Sequence, residues 1–368
     1  MRLLLTIVLF ATLWTHPLQA ETVATRLVVV TVDGLRWQEL FGGIDSQLMS
    51  SREAGVKRAA DHALAKRLWA PTPEQRRKKL FPYFWGQLVQ QGVLAGNRDK
   101  NSFVNVTNQV RKSYPGYAEI LTGQALDEKV TSNAAQKIPA RTILEALQDS
   151  WTLGFSDVAL FASWDRFKSI AATDPSKFVV NAGFQNFTGP GLSERSRELN
   201  HRQFEQLTPW TEVRHDYITC ELALDYLRTQ KPRALYLGLG ETDDWAHDKR
   251  YPRVLWAATY FDTCLHQLVD WIDTDESFKG KTLLVVTTDH GRGRTPQDWH
   301  HHKLAVPGSD EVWLYMRGPG IAATGELSDS KVMSLRDIAP TILKYLGLPQ
   351  KVLPEMKGKP VQFSESRP

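Results

Sequence analysis

The chain has little cysteine: Cys220 and Cys264 are the only two in 368 residues. That excludes a disulfide-dense scaffold, and their spacing forms no zinc-finger pattern. Both lie in stretches of helical periodicity, and they can pair only if their Cα atoms approach within about 7 Å. After the first twenty residues no apolar run reaches the ~20 residues that a membrane helix needs. Internal repeats, low-complexity tracts and long Gly/Ser linkers are all missing. Charge of one sign is lacking too, with 45 Lys and Arg, evenly spread, against 41 Asp and Glu. So mild an excess argues against a nucleic-acid polymer as partner, though phosphate binding by a local cluster stays open.

What is present describes a globular protein. Hydrophobic residues make up 42% and charged residues 23%, enough for a packed core in one large α/β domain or two small ones. Arg2, the apolar run Leu3 to Leu13, and a break at Pro17 before Ala20 read as a signal peptide over residues 1–20. The alternative, a short membrane anchor, is too short to span a bilayer. The mature chain, from residue 21 to 368, is therefore expected to be exported, periplasmic or extracellular, without stable membrane insertion.

Apolar, β-type runs recur at Leu27 to Val32, Val158 to Ala162, Ala234 to Leu239, Leu283 to Thr287 and Val312 to Met316. Helical patterns occupy Phe81 to Gln91, Thr142 to Leu147, Trp210 to Arg228, Val254 to Trp271 and Leu335 to Leu346. Strands alternating with helices predict an α/β sandwich: a mostly parallel sheet with helices on both faces. Segments 42–80 and 172–209 are polar and weakly patterned, and read as insertions or lids. The basic run Arg76-Arg77-Lys78-Lys79 reads as a solvated face.

In such sheets ligands gather at the carboxyl ends of strands. Three runs end there in candidate metal ligands. Asp33 follows the first run, and Asp289-His290 closes the Leu283 run as Thr-Asp-His-Gly. Asp243, after the Ala234 run, stands four residues before His247, which on a helix puts both side chains on one face. Asp244 competes with Asp243 for that role. A histidine cluster, His300-His301-His302, follows. Each piece has a plainer reading, namely helix caps at Asp33 and Ser113 and a surface histidine at 247. Ser113 precedes Pro115 at an expected helix start, where free backbone N–H groups favour a phosphate.

Taken together, Val-Asp-Gly at 32–34, Ser-Tyr-Pro-Gly at 113–116, Asp-x-x-x-His at 243–247, Thr-Asp-His-Gly at 288–291, His302 before Val306-Pro307-Gly308, and Asp337-Ile338-Ala339-Pro340-Thr341 resemble the alkaline phosphatase superfamily. The likeness runs from about Leu27 to Leu346, in the branch of nucleotide pyrophosphatase/phosphodiesterase-like and sulfatase-like metal hydrolases. It implies an alkaline phosphatase-like fold and two divalent ions, most naturally Zn2+. Asp33, Asp289, His290 and the Ser113 oxygen would hold one ion, and Asp243, His247 and His302 the other. It also implies Ser113 as nucleophile, with Asn133 and Lys112 contacting a small phosphate ester. Two doubly charged ions against three carboxylates and a serine alkoxide leave the centre neutral. Sulfatases of this kind carry Cys/Ser-x-Pro-x-Arg, whereas Tyr117 stands here in place of the arginine, which favours phosphoryl transfer. Monoester and diester remain open, as do a phosphoethanolamine-type transferase and an inactive zinc-binding relative. Trp37, Tyr114, Tyr117 and Trp245 are candidates for an aromatic wall or for core packing.

Overall fold

The computed structural model describes residues 23–363, so the expected signal peptide lies outside the described residues. Among the described residues there are eleven strands: β1 (Arg26–Val32), β2 (Val93–Ala95), β3 (Val104–Asn105), β4 (Val158–Ala162), β5 (Val179–Ala182), β6 (Ala234–Leu239), β7 (Thr282–Thr287), β8 (Glu311–Val312), β9 (Leu314–Arg317), β10 (Gly325–Glu326) and β11 (Met333–Ser334). Eight of them form the main sheet, in the order β10-β2-β9-β7-β1-β6-β4-β5, and the others form a small sheet, β11-β3-β8. In the main sheet only β9 runs against its neighbours.

The central strands are apolar through Leu27 to Val30, Ala234 to Leu239 and Leu283 to Val286 because both faces are covered. Val28, Val30 and Val32 enter one core, with Leu235, Leu237, Leu284 and Val286. Leu27 and Val29 enter the other, with Tyr236, Leu283 and Val285. The first core is closed by the helices Asp216–Gln230 and Tyr251–Thr274, the second by Ser113–Thr122, Ile143–Ser150 and Ile338–Tyr345. The layers are helix, sheet, helix, as the alternation of runs predicts. Register places the ends of β1, β6 and β7 side by side, with Thr31 opposite Gly238 and Thr287.

Several elements differ from the pattern-based reading. The Phe81 to Gln91 stretch is a π-helical turn, Phe84–Leu88, followed by a 3-10 turn. The buried Asp262 carboxylate accepts the Tyr83 and Phe84 N–H groups at 2.9 and 2.8 Å and fixes its start. The helix expected from Trp210 begins only at Asp216, because Val213 bridges Trp164 and the Arg214 N–H is spent on the Ser163 carbonyl. The Val312 run divides at Trp313, where the chain leaves the small sheet for the main one. Segment 42–80 holds three helices, and 172–209 contains β5 and the helix Glu194–Glu205. The basic run is not uniformly solvated: Arg77 is buried, pairs with Glu326 at 3.1 Å and stacks on Trp85.

Cys220 and Cys264 form a disulfide, with Cα atoms 6.2 Å apart, tying the helices Asp216–Gln230 and Tyr251–Thr274 together. It closes a loop of 44 residues, which on the chain-entropy estimate stabilises the fold by about 4 kcal/mol. The double variant Cys220→Ala/Cys264→Ala should therefore unfold at clearly lower denaturant, by about 2–4 kcal/mol in urea titration. Among the described residues no helix is long and apolar enough to cross a membrane.

Candidate metal centre

The three strand ends converge. Asp33 leaves β1, Asp289 and His290 follow β7, and the short helix Glu241–His247 follows β6. Gly34 lies where they meet, with φ +57°, and a Cβ there would stand 2.6 Å from Asp243 Oδ1 and 3.1 Å from the His290 ring. Only glycine fits a left-handed, crowded position of this kind. Its N–H donates to Asp289 Oδ1 at 3.0 Å.

Two groups of donors result. Asp33, Asp289 and His290 form one, Asp243, His247 and His302 the other, and within each the ligand atoms lie within 4.8 Å of one another. His290 Nε2 stands 3.4 Å from Asp33 Oδ1 and 3.5 Å from both Asp243 Oδ1 and Asp289 Oδ2. His247 Nε2 is 3.1 Å from Asp243 Oδ2 and 3.1 Å from His302 Nε2. Asp243 rather than Asp244, and His302 rather than His301, belong to the second group.

Ser113 opens its helix and is buried, its Oγ 3.3 Å from His290 Nε2 and 3.5 Å from Asp33 Oδ1. The helix is pressed against the β7 end: a Cβ on Gly116 would meet the Asp289 carbonyl oxygen at 2.3 Å. The glycine of Ser-Tyr-Pro-Gly thus lets the serine come close to the carboxylates. Asn133 Oδ1 accepts the Tyr114 N–H at 3.0 Å, which places this amide beside the same helix start. Lys112 precedes Ser113 and has no acidic partner among the described residues, whereas Arg111 is committed to Asp310 at 3.2 Å.

The electrostatics favour a bound cation. Burial, reinforced by Asp289 and Asp243, pushes the Asp33 carboxyl well up. Burial and the neighbouring Asp243 raise Asp289 to about 8. Burial also raises Asp243, but Arg292 and His247 outweigh it and hold that carboxyl well below the usual range. His290 is lowered to about 4 by burial. Asp289 Oδ2 is buried without a hydrogen-bond partner. A desolvated carboxylate oxygen left unpaired is costly unless an ion takes it.

The histidine tautomers agree. His290 Nδ1 faces the Gly291 carbonyl at 3.0 Å, and His302 Nδ1 faces the Arg111 carbonyl at 2.7 Å. Each must donate there, so each Nε2 turns a lone pair into the cluster, as metal-ligating histidines do.

Residues 165–350, half of the chain, match the profile of the metalloenzyme superfamily. The chain belongs to the metalloenzyme superfamily. The matched part carries Asp243, His247, Asp289, His290 and His302 of this metalloenzyme, while Asp33 and Ser113 lie before it. Solved structures show the alkaline phosphatase-like fold. The phosphonate monoester hydrolase SpPMH from Silicibacter pomeroyi is 14% identical, with TM-score 0.57 over 94% of this chain and 77% of that one. The alkaline phosphatase PafA is 11% identical, with TM-score 0.56 over 93% and 99%. BT1596, a 2-O GAG sulfatase, is 12% identical, with TM-score 0.52 over 92% and 73%. No curated protein matches the chain.

One residue of the centre escaped the sequence reading. Arg292, fully buried, bonds the Asp243 carboxylate, the Asp243 carbonyl at 3.0 Å and the His300 carbonyl at 2.7 Å. Its only signal was its place directly after Asp-His-Gly. Tyr114 and Tyr117 are fully buried, and Tyr117 packs its ring on Phe167 while its hydroxyl reaches the Asp33 carboxyl. Trp37 and Trp245 are half-buried, bonded to Glu311 and packed on Trp210 respectively.

Proposed function

We propose that this metalloenzyme is an exported hydrolase of phosphate esters that uses two divalent ions and a Ser113 phosphoenzyme. The observation that carries the reading is a buried serine at a helix start, within reach of both His290 and Asp33, beside two carboxylate–histidine groups. Residues 21–368 are read as one catalytic unit, with 42–80 and 172–209 as insertions that shape access.

The donor set of three aspartates and three histidines fits two Zn2+ ions, Asp33, Asp289, His290 and Ser113 Oγ holding one and Asp243, His247 and His302 the other. Such ions lower the pKa of a bound hydroxyl towards neutrality and stabilise charge on phosphoryl oxygens. Ser113, deprotonated, attacks phosphorus opposite the ester oxygen. The Oγ–P bond forms, the P–O bond breaks, and the alcohol departs with a proton from water. Water then cleaves the Oγ–P bond and restores the serine. Lys112 supplies a positive charge, and Asn133, held at the Tyr114 N–H, supplies an amide for the non-bridging oxygens. Gly116 keeps the attacking oxygen against the Asp289 segment.

A sulfuric ester is the second reading, since a sulfatase shares the fold. Against it stands Tyr117, buried where a formylglycine signature has arginine. The disulfide accords with an oxidising compartment. The test is turnover of p-nitrophenyl phosphate, bis-p-nitrophenyl phosphate, p-nitrophenyl thymidine phosphate and p-nitrophenyl sulfate by the Zn2+-loaded chain from Glu21 onward. A phosphate ester as best substrate supports the reading and assigns mono- or diester. Preference for the sulfate overturns it.

A further inference from the structure

A chain of buried hydrogen bonds lies behind His302, outside the donor groups. Glu119 sits on the second turn of the Ser113 helix and is fully buried. Its carboxylate accepts the Thr107 N–H at 3.0 Å, the Asn108 N–H and side-chain amide at 2.9 Å each, and the Arg336 N–H at 3.2 Å. The Thr107 hydroxyl donates to it as well, at 2.7 Å. So complete a set of donors fixes both Glu119 and the 107–108 backbone. Asn108, itself fully buried, uses its remaining Oδ1 to accept the Arg111 N–H at 2.7 Å. Arg111 has φ +49°, a left-handed conformation uncommon for a non-glycine residue. Its side chain is also held, by Ser309 at 3.3 Å and Asp310 at 3.2 Å. The carbonyl that this strained residue presents is the acceptor of His302 Nδ1 at 2.7 Å.

We infer that Asn108 and Glu119 are positioning residues that act through the Arg111 carbonyl to aim His302 Nε2 at the second ion. The inference rests on the two-ion reading above. Strain of this kind persists only where the surroundings over-determine it. Here they are Asn108 from below and Ser309 with Asp310 from the side. The same strained residue stands two positions before Ser113. The nucleophile's helix carries that carboxylate on its own backbone hydrogen bonds, so loosening the link to His302 leaves Ser113 in place. Losing Asn108 frees the Arg111 carbonyl to turn, and His302 loses the partner that sets its tautomer.

The test is Zn2+ binding to the full chain by equilibrium dialysis with metal analysis. The unsubstituted protein should take up two ions. Asn108→Ala should keep one tightly and bind the second 10–100-fold more weakly, the cost typical of losing an outer hydrogen-bond partner. The ion weakened should be the one that His302→Ala loses. Asn108→Ser keeps an oxygen for the N–H three residues on and should retain both ions. If Asn108→Ala does not fold, Glu119→Gln carries the test: it keeps the shape, removes charge from the anchor, and should weaken the second ion alone. Two ions bound with unchanged affinity in Asn108→Ala or Glu119→Gln, or both ions weakened together, overturn the inference. An unsubstituted chain that takes up no second ion sinks the two-ion reading itself, and this inference with it.

Discussion

Ser113→Ala is expected to lower turnover of the best phosphate ester by a factor on the order of 10^4 or more. The side chain removed is small, buried and already aligned, so the fold should lose little. What disappears is the only hydroxyl within 3.5 Å of both His290 and Asp33 among the described residues. Residual activity would come from water attacking in its place, helped by whatever binds the phosphoryl group. Two further measurements separate this from general damage. Metal uptake should persist, because four of the six aspartate and histidine donors do not touch the serine, and the two that do, Asp33 and His290, keep Asp289 and each other. Substrate affinity, read from inhibition by inorganic phosphate, should change far less than turnover. A variant that retained more than a tenth of the rate would refute the phosphoserine step.

Removing metal should produce the second large effect, and its sign depends on pH. In the metal-free chain Asp289 titrates at about 8 because burial and Asp243 oppose its charge, and Asp33 is raised for the same reasons. In the unfolded chain both ionise near 3.9. Below that value both states hold the protons and the groups are neutral in their effect. As pH rises from about 4 towards 8, the unfolded state releases protons that the folded state keeps, so stability falls. His290, lowered to about 4 by burial, works the other way up to its unfolded value near 6.5, so the chelated protein should lose stability chiefly between about pH 6.5 and pH 8, by ~1.36 kcal/mol per pH unit for each carboxyl still protonated. Added Zn2+ reverses the trend, since ligands need deprotonated carboxylates and binding to the folded state adds about 4 kcal/mol at a thousandfold excess over Kd. Thermal melting with and without chelator at pH 5 and pH 8 decides it. Equal chelator effects at the two values, or none at pH 8, would contradict the clustering of charge described above.

The parts of the fold that were legible are those with the most one-sided physics. β4 and β6 have the bounds that their apolar runs suggested, because a strand covered on both faces admits no polar interruption. β2 and β10, three and two residues long, leave no periodic trace, and β5 is hidden in a polar stretch. Phe81 to Gln91 kept its helical spacing of apolar side chains while its backbone went elsewhere, because Asp262, about 180 positions on, captured two of its N–H groups. The same division holds in the centre. Donors announced themselves as Asp and His where strands stop. Arg292, Asn108 and Glu119 did not, since their partners are backbone groups or carboxylates that only the folded chain brings near. Tyr117 reads from sequence as either a pocket wall or a core aromatic, and in the fold its ring packs on Phe167 while its hydroxyl reaches Asp33, a division that only tertiary contacts make.

The position of β1 has a consequence for how the protein is made. It is one of the sheet's two middle strands, yet among the sheet's strands it is made before the rest. Its neighbours are β6 and β7, with Leu27 paired to Ala234 on one side and to Leu283 on the other. At roughly 5–20 residues per second, more than ten seconds separate its synthesis from that of either partner. During that interval Leu27-Val28-Val29-Val30 is an unpaired β-forming segment guarded by only one charge on each side, Arg26 and Asp33, the kind that associates with its like in a neighbouring chain. The last third of the protein, which holds β7, therefore sets the moment at which β1 is paired on both sides.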